Sequence, residues 1–219
     1  MGVKRIIFWR HGETDANKGL RIQGAIDVPL NELGKSQARG AAAQLAQLEP
    51  TRIYCSDLSR ARQTASELAA LTGLEPVVDK RLQERNYGEW EGLTAAEIAQ
   101  RWPDRLERWK LGGEPGLSIE TREACGLRMA QCVNEAVAVA DASECDETLV
   151  FASHGGAITC AITTLFGLNP SQWQGLRVLD NCHWAMLIPR FDANPQWRLV
   201  MYDRWNAVTT DVEYGWEKA

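Results

Sequence analysis

Short apolar runs alternate with longer amphipathic stretches along this chain. Arg5-Ile6-Ile7-Phe8-Trp9 is a nearly continuous apolar run, as expected of a strand buried on both faces, and it stops at Arg10-His11-Gly12. Asn31 to Leu48 is rich in Ala and Gln, carries Leu45 and Leu48 near its end and is closed by Pro50, which predicts an amphipathic helix. Arg52 to Cys55 predicts a second strand. Ser56 and Asp57 then offer N-caps to a helix reaching about Leu71, with Gly73 as its stop signal. Pro76 to Val78 reads as a short strand, and Thr94 with Glu97 forms the capping-box pattern of a helix running to about Trp102. Pro103, Gly112, Gly113, Pro115 and Gly116 punctuate the next segment, which predicts a loop or mobile flap over Pro103 to Gly116. A long helix follows over Glu120 to Val139, then a strand from Thr148 to Ala152. Ser153-His154-Gly155-Gly156 leads a helix to Phe166, with Gly167 behind it, and strands at Trp184 to Ile188 and Arg198 to Tyr202 complete the pattern.

This β-α-β-α rhythm predicts an α/β fold, a three-layer sandwich with a mostly parallel central sheet. The whole of residues 1–219 reads as one domain, with a flap or cap segment around residues 86–120 and no internal repeat or linker. With 45% hydrophobic and 24% charged residues, the chain has the composition of a globular protein rather than a disordered one. Lys and Arg number 24 against 29 Asp and Glu, a net charge of −5, which argues against a nucleic-acid or polybasic membrane binder. No apolar stretch approaches the roughly 18 residues of a transmembrane helix, and Arg10 and His11 interrupt the N-terminus before a signal-peptide core forms. The six cysteines include no C-x-x-C pair, so zinc-ribbon and thioredoxin-like readings lack support. A cytoplasmic protein with reduced thiols is expected.

Ligands of open α/β sheets bind beyond the carboxyl ends of the strands. Three polar segments fall at such ends: Arg10 to Thr14, Ser56 to Arg60, and Ser153 to Gly156. Each brings a cation or an imidazole beside a glycine or a helix N-terminus, a combination suited to phosphate. Taken singly, each has a plain structural explanation: a turn, a surface ion pair, a satisfied histidine. Two of only three histidines at glycine-flanked strand ends make the combination much stronger.

The ordered motifs resemble those of the histidine phosphatase superfamily, the phosphoglycerate mutase-like family, over nearly the whole chain. They comprise Arg10-His11-Gly12-Glu13-Thr14 with Asn17; Gln23-Gly24, Asp27-Val28-Pro29-Leu30 and Leu33-Gly34; Ser56-Asp57-Leu58-Ser59-Arg60-Ala61 with Gln63-Thr64-Ala65; Leu82-Gln83-Glu84 before Tyr87-Gly88-Glu89-Trp90-Glu91-Gly92; and Ser153-His154-Gly155-Gly156. The resemblance implies a phosphoglycerate mutase-like fold. It makes His11 the nucleophile that takes the phosphoryl group, with its other ring nitrogen donating to a backbone carbonyl. Arg10 and Arg60 would clamp the phosphoryl oxygens, joined by His154, protonated beside the dianion, by Asn17 and by Gly155. Glu84 would be the general acid and then the base; on residue pattern alone it is one carboxylate in a charged run. Gln23, Gly24 and Tyr87 are expected to touch the substrate. No cofactor and no metal are implied: His11 and His154 belong to no H-x-x-x-H or H-x-x-E-H pair, and His183 reads as structural.

The core motifs do not separate phosphatase from mutase. Where mutases of the family carry a lysine after the Gly-Leu of the Glu84 motif, this chain has Gly92-Leu93-Thr94-Ala95. Where they carry tandem arginines after a tryptophan, it has Trp109-Lys110-Leu111. Loss of these carboxylate-binding cations favours hydrolysis, whereas Tyr87 after Arg85 leans toward the mutase pattern. The expected activity is therefore phosphomonoester hydrolysis of a small phosphorylated metabolite through a phosphohistidine. The alternatives are a phosphoglycerate mutase and, last, a non-catalytic phospho-ligand binder, which retention of His11 and Glu84 disfavours. The Arg10 to Gly34 spacing, Trp197-Arg198-Leu199 and Arg204-Trp205-Asn206-Ala207 are similar to a branch that acts on glucosyl-3-phosphoglycerate. That branch carries Gly-Gly-Glu-Ser before the long helix; here Gly112-Gly113-Glu114 is separated from Ser118 by three residues. The nine tryptophans, Trp90, Trp102, Trp109 and Trp173 among them, are read first as core packing and second as an apolar rim or the face of a homodimer.

Overall fold

The strand that begins the chain is also the spine of the fold. In a computed structural model describing residues 2–116, 118–190 and 193–205, β1 (Gly2–Arg10) pairs parallel with β4 (Asp146–Ser153) and antiparallel with β5 (Trp184–Pro189). β2 (Arg52–Cys55) and the two-residue β3 (Val77–Val78) extend the parallel side, and β6 (Trp197–Arg204) pairs antiparallel with β5. Among the described residues the sheet has six strands in the order β3-β2-β4-β1-β5-β6.

Side-chain alternation along the strands makes two cores. Ile6 and Phe8 of β1, Leu149 and Phe151 of β4, and Ala185 and Leu187 of β5 pack on one face with helices α6 (Arg122–Asp141) and α7 (Gly155–Leu165). Ile7 and Trp9, Val150 and Ala152, and Trp184 and Met186 pack on the other with α2 (Glu32–Ala46) and α3 (Ser59–Thr72). The predicted sandwich is therefore observed, and the run Ile6 to Trp9 is apolar throughout because both faces are covered.

The helices begin where short-range chemistry or a distant side chain caps them. Asn31 accepts from the Gly34 N–H to start α2, and Thr121 accepts from the Ala124 N–H to start α6. Thr94 and Glu97 make the predicted capping box at α4 (Ala95–Arg101). The same reciprocal pair, Thr14 with Asn17, sets the one-turn α1 (Asp15–Lys18), which the hydrophobic pattern does not signal. For α3 the expected caps Ser56 and Asp57 are not used. The helix starts at Ser59, whose N–H and hydroxyl both donate to Asp27 from another segment at 2.7 Å.

The segment expected to be a loop from Pro103 to Gly116 is half helix. Pro103 occupies the first turn of α5 (Pro103–Lys110), where its missing N–H costs nothing. Asp104 at the start and Arg108 and Lys110 at the end match the helix dipole, and Gly112 at φ +89° ends the turn beyond it. Trp90, Ile98, Leu106 and Ile119 form a small third core between α4, α5 and the neighbouring turns. Trp90 is fully buried there, as core packing predicts. All six cysteines are free, and Cys145 alone among them is exposed. No helix among the described residues is long and apolar enough to cross a membrane. The Asn206-Ala207 end of the last sequence motif lies outside the described residues.

Candidate active site

Three adjacent strands deliver the site at one level. Trp9 pairs with Ala152, which pairs with Cys55, so the turns after β1, β4 and β2 leave the sheet side by side. His11 and His154 follow the first two turns with ring centroids 5.1 Å apart, and Arg60 enters from the first turn of α3. Gly12 and Gly34 hold the β1 turn against α2: a methyl group on Gly34 would sit 2.0 Å from the Glu13 carbonyl oxygen, and one on Gly12 2.3 Å from that of Gly34.

The two imidazoles have opposite, fixed tautomers. His11 Nδ1 lies 2.7 Å from its neighbour Gly12 O, a contact only a protonated Nδ1 makes favourably, so Nε2 carries the lone pair. The His11 carbonyl accepts from Asn181 Nδ2 and Cys182 N, and its N–H donates to Ser153 O. His154 Nδ1 accepts from Arg60 Nε at 3.1 Å, which puts its proton on Nε2, a buried atom with no partner. Burial, with Arg60 and Arg10 nearby, holds His11 well below the usual imidazole range. Burial, Arg60 and His11 do the same to His154. Without a dianion beside it, His154 is a neutral donor through Nε2, because a buried ring between guanidiniums loses too much by taking a second proton; the expected protonation is that of the ring beside a bound dianion.

Positive charge comes from the arginines. Arg60 is fully buried, with Nη1 on Ile26 O and Nη2 on Gly24 O, both at 2.8 Å. Burial lowers its pKa to about 10, partly countered by Glu84, so it remains charged at neutral pH. Arg10 donates to Leu179 O and keeps an unpartnered buried Nε; burial lowers it and Glu84 opposes the shift. Gly155, at the start of α7, leaves no room for a side chain: a methyl group there would lie 2.3 Å from Val178 and 3.3 Å from Arg10 Nε.

Glu84 sits across the cavity at the same helix end. Its Oε1 accepts from the Ala157 and Arg85 N–H groups at 2.8 Å and its Oε2 from Gly156 N–H at 3.0 Å. Arg128 fixes its backbone by donating to Arg81 O, Gln83 O and Glu84 O. Asn17 Oδ1 accepts from Thr14 N and Asn181 Nδ2, which turns its amide NH2 toward the cavity. Gln23 Oε1 accepts from Thr14 Oγ1 in the same way. Gly24, at φ +53°, serves through its carbonyl on Arg60; a side chain there would strike Glu91. The Tyr87 ring lies 5.4 Å from the Arg85 guanidinium, and burial pushes its phenol pKa up.

These groups surround a cavity of about 200 Å³. His11, Glu84, Arg10, Asn17, Arg60, Gly155, Gln23, Gly24 and Tyr87 all line it, and His154 lies immediately behind His11. Sequence reasoning missed Arg21, Ile22 and Val178 on the same walls, which Trp109, offered there as part of an apolar rim, also lines. Arg21 had a signal, its place beside Gln23-Gly24; Val178 had none. A divalent cation is poorly matched to this site, since one ring nitrogen on each histidine is committed and two guanidiniums repel it. Away from it, Asp180, His183 and Asp203 converge, but Arg177 already pairs with both carboxylates.

Two strand-end histidines flanked by guanidiniums on a mostly parallel α/β sheet define a class of enzymes that handle phosphate esters. The chain belongs to the histidine phosphatase superfamily (branch 1), which matches residues 6–202. That family acts as phosphatases or mutases on phosphorylated small molecules. The chain is 36% identical to a glucosyl-3-phosphoglycerate phosphatase of Mycobacterium tuberculosis, over 97% of its length and 100% of the relative's. It is 35% identical to a probable phosphoglycerate mutase of Yersinia pseudotuberculosis, covering 79% of each chain. The structure of a mycobacterial glucosyl-3-phosphoglycerate phosphatase in complex with VO3 superposes with a TM-score of 0.83 at 36% identity, over 91% of this chain and 99% of that one.

Proposed function

We propose that the protein is a metal-independent phosphomonoesterase working through a phosphohistidine, on a small phosphorylated metabolite of the sugar phosphate or glucosyl-3-phosphoglycerate kind. One observation carries the reading: the bare Nε2 of His11 stands in a cavity that also collects Arg10, Arg60 and the Glu84 carboxyl, with the free Nε2–H of His154 behind it. His11 Nε2 forms a bond to phosphorus as the ester P–O bond breaks, and the Glu84 carboxylic acid gives its proton to the departing oxygen. Oε2 accepts one N–H against two for Oε1, so Oε2 has the lone pair to hold that proton. Arg10, Arg60, Asn17 and the Gly155 N–H stabilise charge on the equatorial oxygens. Water then attacks phosphorus, loses its proton to Glu84 and releases His11.

Hydrolysis rather than phosphoryl return is supported by Gly92-Leu93-Thr94-Ala95 and Trp109-Lys110-Leu111, which lack the lysine and the tandem arginines that the family's mutases carry there. Arg21, on the cavity wall, uses Nη1 on Gly92 O and Glu97. The mutase reading keeps support from the Yersinia relative. Phosphate release from 4-nitrophenyl phosphate in EDTA tests the proposal. Wild type should turn over and form an acid-labile phosphoenzyme, and His11→Ala should do neither. Undiminished turnover by His11→Ala refutes the nucleophile, and loss in EDTA restored by a divalent ion refutes metal independence. Rapid interconversion of 3- and 2-phosphoglycerate in the presence of the bisphosphate selects the mutase.

A further inference from the structure

Among the described residues, four that are not glycine have a left-handed φ, and two of them, Cys182 at +59° and Asp203 at +56°, meet behind His11. Cys182 is fully buried in the turn that leads into β5, and Asp203 lies near the end of β6. There β6 carries one residue more than its partner strand: Trp184 pairs with Arg204 and Met186 with Met201. A bulge of that kind bends the strand and re-aims a side chain. Left-handed conformations are unfavourable for residues with a Cβ and persist where surrounding bonds impose them.

Those bonds run from the Asp203 carboxylate to the reacting imidazole. Asp203 Oδ1 accepts from the Asp180 N–H at 2.9 Å and lies 2.8 Å from His183 Nδ1, so it holds both ends of the turn Asp180-Asn181-Cys182-His183. The His183 N–H closes that turn on Asp180 O at 3.0 Å. The turn in its turn grips the end of β1. His183 O accepts from the Arg10 N–H at 3.0 Å, and Cys182 O from the Trp9 indole at 3.1 Å. The His11 carbonyl takes two donors, the Cys182 N–H at 3.2 Å and Asn181 Nδ2 at 3.0 Å. The second hydrogen of Asn181 Nδ2 reaches Asn17 Oδ1 at 3.3 Å. One NH2 group thereby spans the main chain of His11 and the amide that presents a donor to the phosphate cavity.

Resting on the phosphomonoesterase reading, we infer that Asn181 is a positioning residue for phosphoryl transfer: held in place by Asp203, its Nδ2 fixes the main chain of His11 and the direction of the Asn17 amide together. Asp203 acts in this arrangement as a hydrogen-bond acceptor, and its ion pair with Arg177 is incidental to the role. His183, remote from the cavity, belongs to the same support.

Asn181→Leu removes both hydrogen bonds at nearly constant volume, and Asn181→Ala removes them without adding apolar bulk. Each should lower kcat on 4-nitrophenyl phosphate about tenfold and weaken the binding of inorganic phosphate, titrated calorimetrically, about threefold. In an Asn17→Ala background the phosphate loss should vanish, because it passes through that amide. Asp203→Ala should act as the Asn181 variants do. Asp203→Asn, which still accepts and tolerates the left-handed φ, should stay within about twofold of the wild type. Unchanged kcat and phosphate affinity in the Asn181 variants, with only the melting temperature lowered, would make the residue merely structural and overturns the inference. So does a phosphate loss that persists in full without the Asn17 amide, or an Asp203→Asn as impaired as Asp203→Ala. Phosphate titration needs no turnover. A wild type that binds phosphate but leaves 4-nitrophenyl phosphate intact therefore refutes the phosphomonoesterase reading, while the phosphate affinities still decide the positioning role.

Discussion

A free imidazole gains its second proton near pH 6.5, and acidifying an unfolded chain from about pH 7.5 to about pH 5.5 charges most of it. His11 and His154 are prevented from following in the folded protein by burial and by Arg60. A depressed imidazole pKa means that the unfolded state binds more protons below about pH 6.5, so stability is complete above that value and is lost as pH falls through it. Each ring that stays neutral in the fold costs about 1.4 kcal/mol at pH 5.5, and the pair about 3 kcal/mol. Urea unfolding in phosphate-free buffer at the two pH values measures this loss. The comparison is with a His11→Asn, His154→Asn double variant, in which every other titrating group is retained and cancels. The wild type should lose about 3 kcal/mol more than the variant on acidification. Parallel losses would refute the assignment of both rings as buried neutral groups, and with it the lone pair on His11 Nε2 over this range.

Three further outcomes follow from the fold and the site's supports. Gly34→Ala puts its methyl group 2.0 Å from the Glu13 carbonyl oxygen and should cost about 1–3 kcal/mol in thermal unfolding together with most activity. Gly73→Ala, at φ +71° in open space, should cost about 1 kcal/mol and no activity. Arg128→Met removes the bonds that hold Arg81 O, Gln83 O and Glu84 O. It should slow an alkyl phosphate about tenfold more than 4-nitrophenyl phosphate, whose leaving group needs no proton; equal slowing would show that Arg128 does not position Glu84.

The positions of the site residues were legible because their signals are local. Arg10, His11, Arg60 and His154 sit at or just past strand ends that apolar runs announce, and the sheet register brings those ends together. Hydrogen-bond direction was not legible, since the His154 tautomer depends on Arg60, 94 residues away. The start of α3 was misread because its cap, Asp27, comes from 32 residues upstream. The start of α5 was misread because a proline that ends one helix also suits the first turn of the next. Val178 carries no periodic or motif signal and reaches the cavity only through tertiary folding.

The first turn of α7 faces two clients at once. Its Gly156 and Ala157 amides grip Glu84, while Gly155, one residue earlier, faces the phosphate cavity. One rigid helix end thereby acts as a ruler between proton donor and phosphorus, drawn in main-chain atoms that hold as long as positions 155 and 156 stay glycine, since a methyl group on Gly156 would lie 2.8 Å from Glu84 Oε1. An adjoining cavity of about 190 Å³ shares that helix through Gly156, Thr159, Cys160 and Thr163, but takes further walls from Trp109 of α5 and from Pro170, Trp173, Gln174, Leu176 and Val178 after α7. Drift in those outer segments reshapes the neighbouring cavity while the spacing between Glu84 and Gly155 is inherited unchanged.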